Sequence, residues 1–228
     1  MRKAVSLLLA SLLAACALVE SSVTTFHTLP AKAEGETLAI YPGSAELRSS
    51  LEHRAYLAKL AQHFQAAGYQ VVDFDGPQQP DYVAIFAYGI DSGSLVTKSF
   101  AVPQWGVTGY SGATTTGTMN TYGNTGTYTA NTTLTPQYGI TGYQTGTTTE
   151  RVYQRAILLS IYDTAMIDPD DSHSFDKAKV YEGRLASEGA CGSMAALMDP
   201  LLNSLFKDFP GESGKSRKFQ MPTSPNTC

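Results

Sequence analysis

The residues that could do chemistry in this chain are a Gly-Lys-Ser string, a run of aspartates, four histidines and three cysteines. Gly214-Lys215-Ser216 matches the end of a phosphate-binding loop, in which backbone N–H groups and a lysine hold phosphate oxygens. That motif needs a glycine five positions before Gly214, and Phe209 stands there. The string also follows a helix signal instead of a strand, so it reads as a solvated turn. Asp168, Asp170 and Asp176 carry carboxylates that suit calcium. His173 stands where an EF-hand loop needs glycine and Lys179 where it needs glutamate, so they read as a polar connection. His27, His53, His63 and His173 fall at no zinc or helical pair spacing. His63 lies beside an apolar helix face, where packing is the expected role. No Gly-x-Ser-x-Gly elbow occurs, and Cys191 has no catalytic surroundings in the primary sequence. Arg151 and Arg155 share one strand face and could bind an anion, although such arginines more often mark a solvated strand end. No catalytic, metal-binding or cofactor-binding constellation is present, and the chain is expected not to be an enzyme.

Cys16 is the residue with the clearest chemical context. Arg2 and Lys3 precede an apolar run from Ala4 to Leu13. A run of about ten residues suits a signal segment and is too short to span roughly 30 Å of hydrocarbon. It ends Leu13-Ala14-Ala15-Cys16, which resembles the bacterial lipobox. That resemblance implies removal of a signal peptide, 1–15, and acylation of the Cys16 sulfur. The alternative is an ordinary secretory signal with an incidental cysteine. Each buried CH₂ of an acyl chain contributes about 0.8 kcal/mol, and more than one chain gives a lasting anchor. In lipoproteins of this kind an aspartate after the cysteine favours the inner membrane. Ala17 therefore points to the outer membrane, with the protein facing the periplasm.

Removing residues 1–15 takes away Arg2 and Lys3 and moves the formal charge from −4 to −6. An acidic chain without a basic face argues against a nucleic-acid partner. Cys191 and Cys228 would then stand in an oxidising compartment. They can pair as a disulfide, or Cys191 can be buried or free with Cys228 on a loose terminus; the sequence leaves both open.

The elements that must position these residues fall into three zones. In the first, Val23 to Phe26 and Thr37 to Tyr41 are short strands after a linker, 16–22. Ser44 can cap a helix whose apolar face holds Leu47, Leu51, Leu57, Leu60 and Phe64, closing at Gly68. Strands follow at Tyr69 to Phe74 and at Tyr82 to Tyr88, the second apolar throughout and suited to cover on both faces. In the last zone, Arg151 to Asp163 and Lys179 to Ser187 read as an antiparallel pair. Met194 to Phe206 is an amphipathic helix in which Pro200 either kinks one helix or opens a second. An edge strand is expected near Arg217 to Met221, followed by a flexible tail, 222–228. The expected fold is α+β: a mainly antiparallel sheet, covered on one face by two helices, in a single domain, 23–221.

The middle zone, Ser99 to Thr149, contains no Asp, Glu, Lys, Arg or His. Aromatic-Gly strings recur at Trp105, Tyr122 and Tyr138, each followed by threonines. Thr and Tyr favour strands, the glycines weaken them, and aliphatic residues are too few for a separate core. Two readings stand: a flexible or hairpin-like insertion between core strands, or a β-element that pairs with a partner or with its own copies through edges that lack protective charge.

Several strings carry a family resemblance. They are Phe26-His27-Thr28-Leu29-Pro30, Gly68-Tyr69, Pro80-Asp81-Tyr82-Val83, Tyr181-Glu182-Gly183-Arg184 and Leu205 to Gly214. With the lipobox, these are similar to the envelope lipoproteins catalogued as domain of unknown function forty-one thirty-six, over 23–98 and 150–221. The resemblance implies an α+β lipoprotein facing the periplasm and carries over no catalytic residue. The expected role is a non-catalytic structural or assembly component of the envelope, with an envelope protein as partner and self-association possible through 99–149. The alternative is a binding module for an envelope lipid or glycan.

Overall fold

The computed structural model describes residues 17–30, 35–168, 170–171, 173–223 and 228. Cys16 and the signal segment lie outside the described residues. The chain divides into two compact units. One joins Met1–Ser94 to Arg151–Cys228; the other is Leu95–Glu150.

The first unit is built on a sheet. Its strands are β1 (Ala17–His27), β2 (Thr37–Ile40), β3 (Gln70–Val72), β4 (Tyr82–Ile90), the later part of β6 (Thr125–Asp163), β7 (Lys179–Gly189) and β8 (Lys215–Thr223). They run in the order β3-β2-β4-β6-β7-β1-β8. β2 is parallel to both β3 and β4. The pairs β4–β6, β6–β7, β7–β1 and β1–β8 are antiparallel. Four helices accompany them: α1 (Ala45–Ser49), α2 (Leu51–Ala66), α3 (Ser174–Lys177) and α4 (Met194–Phe206).

This overturns the expectation of a mainly antiparallel sheet covered by two helices: the sheet is mixed, and the described residues form four α-helices. The reason is the connection between β2 and β3. A helical crossover brings the chain back to the same end of the sheet, so the next strand runs parallel. The helix was legible, but its consequence for strand direction was not drawn.

Register places one set of side chains on the core face. Val23 stands opposite Leu185, Leu185 opposite Ile157, and Ile157 opposite Tyr88. Two core-face rows along, Tyr181, Ile161 and Ala84 align. Tyr56, Leu60 and Phe64 of α2 and Leu197, Leu201 and Leu205 of α4 join them in one buried cluster. Burying each such side chain contributes about 1.5–3 kcal/mol.

The expected single first helix is two. Ser50 adopts an extended backbone, ends α1, and caps α2 by accepting from the His53 N–H at 3.2 Å. The break resets the helical phase. Leu51 is 77% exposed, while His53 turns inward at 2%. Its ring stacks on Tyr88 with centroids 5.9 Å apart. His63 packs as expected, stacked on Phe206 at 4.9 Å. Pro200 lies inside one helix, capped by Ser193, so no second helix opens there.

Other boundaries also differ from the sequence reading. β1 already begins at Ala17 and pairs with β8 from there, so residues 17–22 of the expected linker are strand. β8 runs to Thr223, beyond the expected start of the tail. β4 is not covered on both faces: Val83 and Ile85 are half-buried on the outer side and Ala87 is exposed.

The second unit is a two-stranded ribbon. β5 (Ser94–Tyr122) pairs with the earlier part of β6. Gly123 and Asn124 form the turn. Gly123 has φ +59° and no described non-glycine residue has positive φ, the pattern of a glycine-first II′ hairpin turn.

Candidate functional site

In the ribbon, the II′ turn starts a one-for-one register that holds to Gly106; nearer the base it shifts by one residue, with Gln104 bonded to Gln144 and Lys98 paired with Glu150. Gly106 lies against Thr141, Gly139 against Thr108, and Thr115 bonds Thr132 at 3.0 Å. Because side chains alternate along a strand, this register sorts the residues by face. Trp105, Val107, Ala113 and Met119 share a face with Ile140, Tyr138, Leu134 and Tyr128. The opposite face carries Thr108, Thr114, Thr116 and Thr118 with Thr127, Thr129, Thr133 and Thr135. The aromatic and aliphatic residues of the first face are exposed, Trp105 at 70% and Tyr138 at 72%.

Glycines let the large rings lie flat on this face. A β-carbon at Gly117 would collide with the Tyr128 ring. The ribbon's charged pair, Lys98 with Glu150, stands at its base. Between that pair and the turn neither face carries charge; Ser111, Thr115 and Thr132 interrupt the apolar side, and exposed Phe100, Val102 and Tyr110 stand among the threonines of the other.

In the first unit, one end of the sheet gathers several of the residues singled out above. Ser21, Ser187, Arg155 and Ile90 form one row across it. The adjacent row on the outer face is made of small residues: Ser22, Ala186, Ala156 and Gly89. They floor a depression of about 790 Å³, with Glu20 and Lys218 at its rim. Those two groups pair at 3.4 Å. Asp91 accepts from the Gly93 and Gln154 N–H groups.

The two candidate anion-binding arginines are committed elsewhere. Arg151 donates to the carbonyls of Ser92 and Gly93. Arg155 is 4% exposed, not a solvated strand end, and donates to the Cys191 carbonyl at 3.4 Å. Burial lowers its pKa, with Glu188 opposing the shift. Cys191 and Cys228 are joined as a disulfide, with Cα atoms 5.4 Å apart, inside the range such bridges need.

The remaining candidates are structural. Asp168 accepts from the Asp170 N–H in a local turn, and its carbonyl accepts from Ser174. Among the described residues no His, Cys, Asp and Glu group could hold a metal ion. Lys215 pairs with Glu212 beside the turn at Gly214. His27 Nε2 meets the Gly211 carbonyl at 3.1 Å, and its ring lies 6.1 Å from that of Tyr181. Burial pushes the Tyr69 phenol up to about 12 and that of Tyr181 upward as well. No helix among the described residues is long and apolar enough to cross a membrane.

The two-faced ribbon is the feature that sequence reading missed, although its signal was present. Gly-Asn is a hairpin turn, and folding the sequence back at that dipeptide gathers most of the aliphatic residues on one face and most of the threonines on the other. The small-residue row at the sheet end has no such local signal, since it joins four strands distant in sequence.

Two solved structures are similar to this chain. One is a PDZ domain protein from Parabacteroides distasonis, with TM-score 0.42 and 11% identity over 90% of this chain. The chain spans 39% of that protein. The other is a dodecamer of a PelC variant from Paraburkholderia phytofirmans, with TM-score 0.37 and 12% identity, covering 85% of this chain and 99% of that one. No functionally curated protein matches. A family model does match, over residues 22–211, and the chain belongs to that family, the domain of unknown function DUF4136.

Proposed function

We propose that this chain is a non-catalytic lipoprotein, anchored in the outer membrane through acyl chains on Cys16, facing the periplasm and serving as a structural or assembly component of the envelope. The observation that carries this reading is the Leu95–Glu150 ribbon. An isolated two-stranded hairpin is at best marginally stable in water. This one also exposes Trp105, Tyr128, Leu134 and Tyr138 on one face. Large exposed apolar faces signal interaction sites, and a charge-free edge lacks the usual protection against strand pairing. Such a surface suits assembly and offers no group for catalysis.

The anchor reading fits the start of β1. Ala17 is already paired with Thr223, so an acylated Cys16 would tether the sheet with no spacer. At about 3.3–3.6 Å per residue, this end of the sheet would sit at the bilayer surface.

The reading is tested in cells fed a palmitate analogue and then crosslinked. Label on the wild type, none on Cys16→Ser, and a crosslinked envelope protein lost on ribbon deletion are the expected results. Equal label on both chains removes the anchor. A crosslinked complex unchanged by the deletion removes the assembly role of the ribbon.

A further inference from the structure

We infer that the ribbons of several copies of this chain close edge to edge into a β-barrel that crosses a lipid bilayer, apolar face outward and threonine face inward. The inference rests on the assembly reading in requiring several copies; the lipid anchor is not needed for it.

The first argument is the alternation. A bilayer-spanning strand presents apolar side chains to lipid and polar ones to the lumen, with period two. Here one face carries Trp105, Val107, Met119, Leu134 and Ile140, with Thr115 and Thr132 among them, and the other carries most of the threonines together with Phe100, Val102 and Tyr110. From Ser99 to Thr149 neither face carries an ionisable acid or base, which removes the residues that are most costly to place against hydrocarbon.

The second argument is length. Barrel strands tilt by about 35–45°, and aromatic residues flank an apolar band about 25 Å tall. Tyr128 and Tyr138 lie on the apolar face of the same strand, ten residues apart in the sequence. At about 3.4 Å per residue that is about 34 Å along the strand, or about 26 Å along the normal at a tilt of about 40°. Met119 stands opposite Tyr128, and Ile140 and Trp105 flank Tyr138 toward the base. Ala113, Ala130 and Leu134 fall between, with Ser111, Thr115 and Thr132 on the same face.

The third argument is the edges. Backbone N–H and C=O groups cannot stay unpaired in hydrocarbon, so a two-stranded ribbon cannot enter a bilayer alone. A matching edge of equal length and no charge is supplied by another copy of the same ribbon. Pro103 of β5 and Pro136 of β6 each lack a backbone donor, and the non-proline residues keep theirs.

The fourth argument comes from the first unit alone. Ile90, where β4 ends, and Arg155, near the point where β6 enters the sheet, share a row with Ser21, four residues after Ala17. The chain therefore leaves and re-enters the sheet at the end where β1 starts. A bilayer at that end would receive both the residues after Ser94 and the acyl group expected on Cys16.

The test uses the full chain, purified in detergent and reconstituted into vesicles of phosphatidylethanolamine and phosphatidylglycerol loaded with a self-quenching dye. Single substitutions Ala130→Cys, Leu134→Cys, Thr129→Cys and Thr133→Cys carry an environment-sensitive label, read against the labelled wild type. The expected result is alternation: labels at 130 and 134 quenched by lipid-borne nitroxide, labels at 129 and 133 by aqueous iodide, with release of the dye. Trp105 is the only tryptophan, so its emission should shift to shorter wavelength in vesicles. Leu134→Asp should abolish release while Thr133→Asp keeps it. Labels equally reached by iodide, or equal effects of the two aspartates, overturn the barrel. So does a water-soluble oligomer that ignores vesicles, which would mean that copies cover one another's apolar faces. A chain that takes palmitate in cells but shows no alternation loses the barrel and keeps the anchor. Alternation and release in Cys16→Ser keep the barrel whatever becomes of the anchor.

Discussion

At the scale of single residues, the core is sensitive where a glycine makes room for a ring. Gly183 stands in the middle of β7, and a β-carbon there would lie 2.5 Å from Tyr181 Oη and 2.8 Å from its Cε1. Tyr181 is 1% exposed and cannot swing away without disturbing Phe209, whose ring centroid is 5.0 Å distant. Gly183→Ala should therefore destabilise the chain by about 1–3 kcal/mol, the usual cost of overpacking, read as a lower urea midpoint. Gly109→Ala, with nothing within 4 Å of the added carbon, should leave the midpoint unchanged; equal losses would refute the steric account. His63 makes a second prediction. Burial lowers its pKa below the ordinary 6.5, with Asp199 acting weakly in the opposite direction. The folded state thus favours the neutral ring. Its contribution is fully present above the unfolded value and is lost as pH falls through 6.5 toward the lower folded value. The urea midpoint should drop between about pH 7.5 and pH 5, and His63→Phe, which keeps the stack on Phe206, should flatten that drop. The packing role of His63 was legible because it sits beside an apolar helical stripe. The burial of His53 was not, because it depends on where the helix begins.

At the scale of elements, that helix start is the most instructive case. Apolar spacing from Leu47 to Phe64 reads as one helix, and the break at Ser50 is hidden because serine is unremarkable inside a helical pattern. The extended backbone at Ser50 lets its hydroxyl accept from the His53 N–H, satisfying one of the orphan donors of α2. Ser50→Ala should cost about 0.5–2 kcal/mol, with Ser50→Gly milder, measured by chemical unfolding. If Ser50→Ala is neutral, the cap is not what fixes the phase of α2, and Leu51 should then become protected from solvent. Strand existence was legible in β4, β6 and β7 because apolar runs bounded by turns are local signals. Strand partnership was not, because β1 reaches β7 and β8 across most of the chain. Parallel pairing followed from a crossover, which is a property of the path and not of any strand's composition.

At the scale of the whole molecule, the division into two units makes the sharpest prediction. The sheet unit carries the buried cluster, α2 and α4, and the Cys191–Cys228 bridge. The ribbon contributes no member to that cluster. Its absence of charge and its threonine-rich composition were legible from the sequence, and so was its separateness as an insertion. Its two-sidedness needed the register set at Gly123. Ile90 pairs with Arg155, and the Asp91 N–H donates to the Gln154 carbonyl at 3.0 Å. The chain ends on either side of the ribbon are therefore already adjacent, and replacing 95–150 by a short Gly-Asn turn should not stretch the sheet. The shortened chain should keep its thermal midpoint within the few degrees that a change of about 1 kcal/mol produces in a domain of this size, and should keep its disulfide on non-reducing electrophoresis. It should lose dye release together with the crosslinked envelope partner, while acyl chains on Cys16 still hold it to the vesicles. A large fall in the midpoint would mean that the ribbon stabilises the sheet, and would remove the argument that its apolar face is left for something outside the chain. An unchanged midpoint with the crosslinked partner retained would place the interaction on the sheet unit, where the open row of Ser22, Ala186, Ala156 and Gly89 would be the next surface to alter.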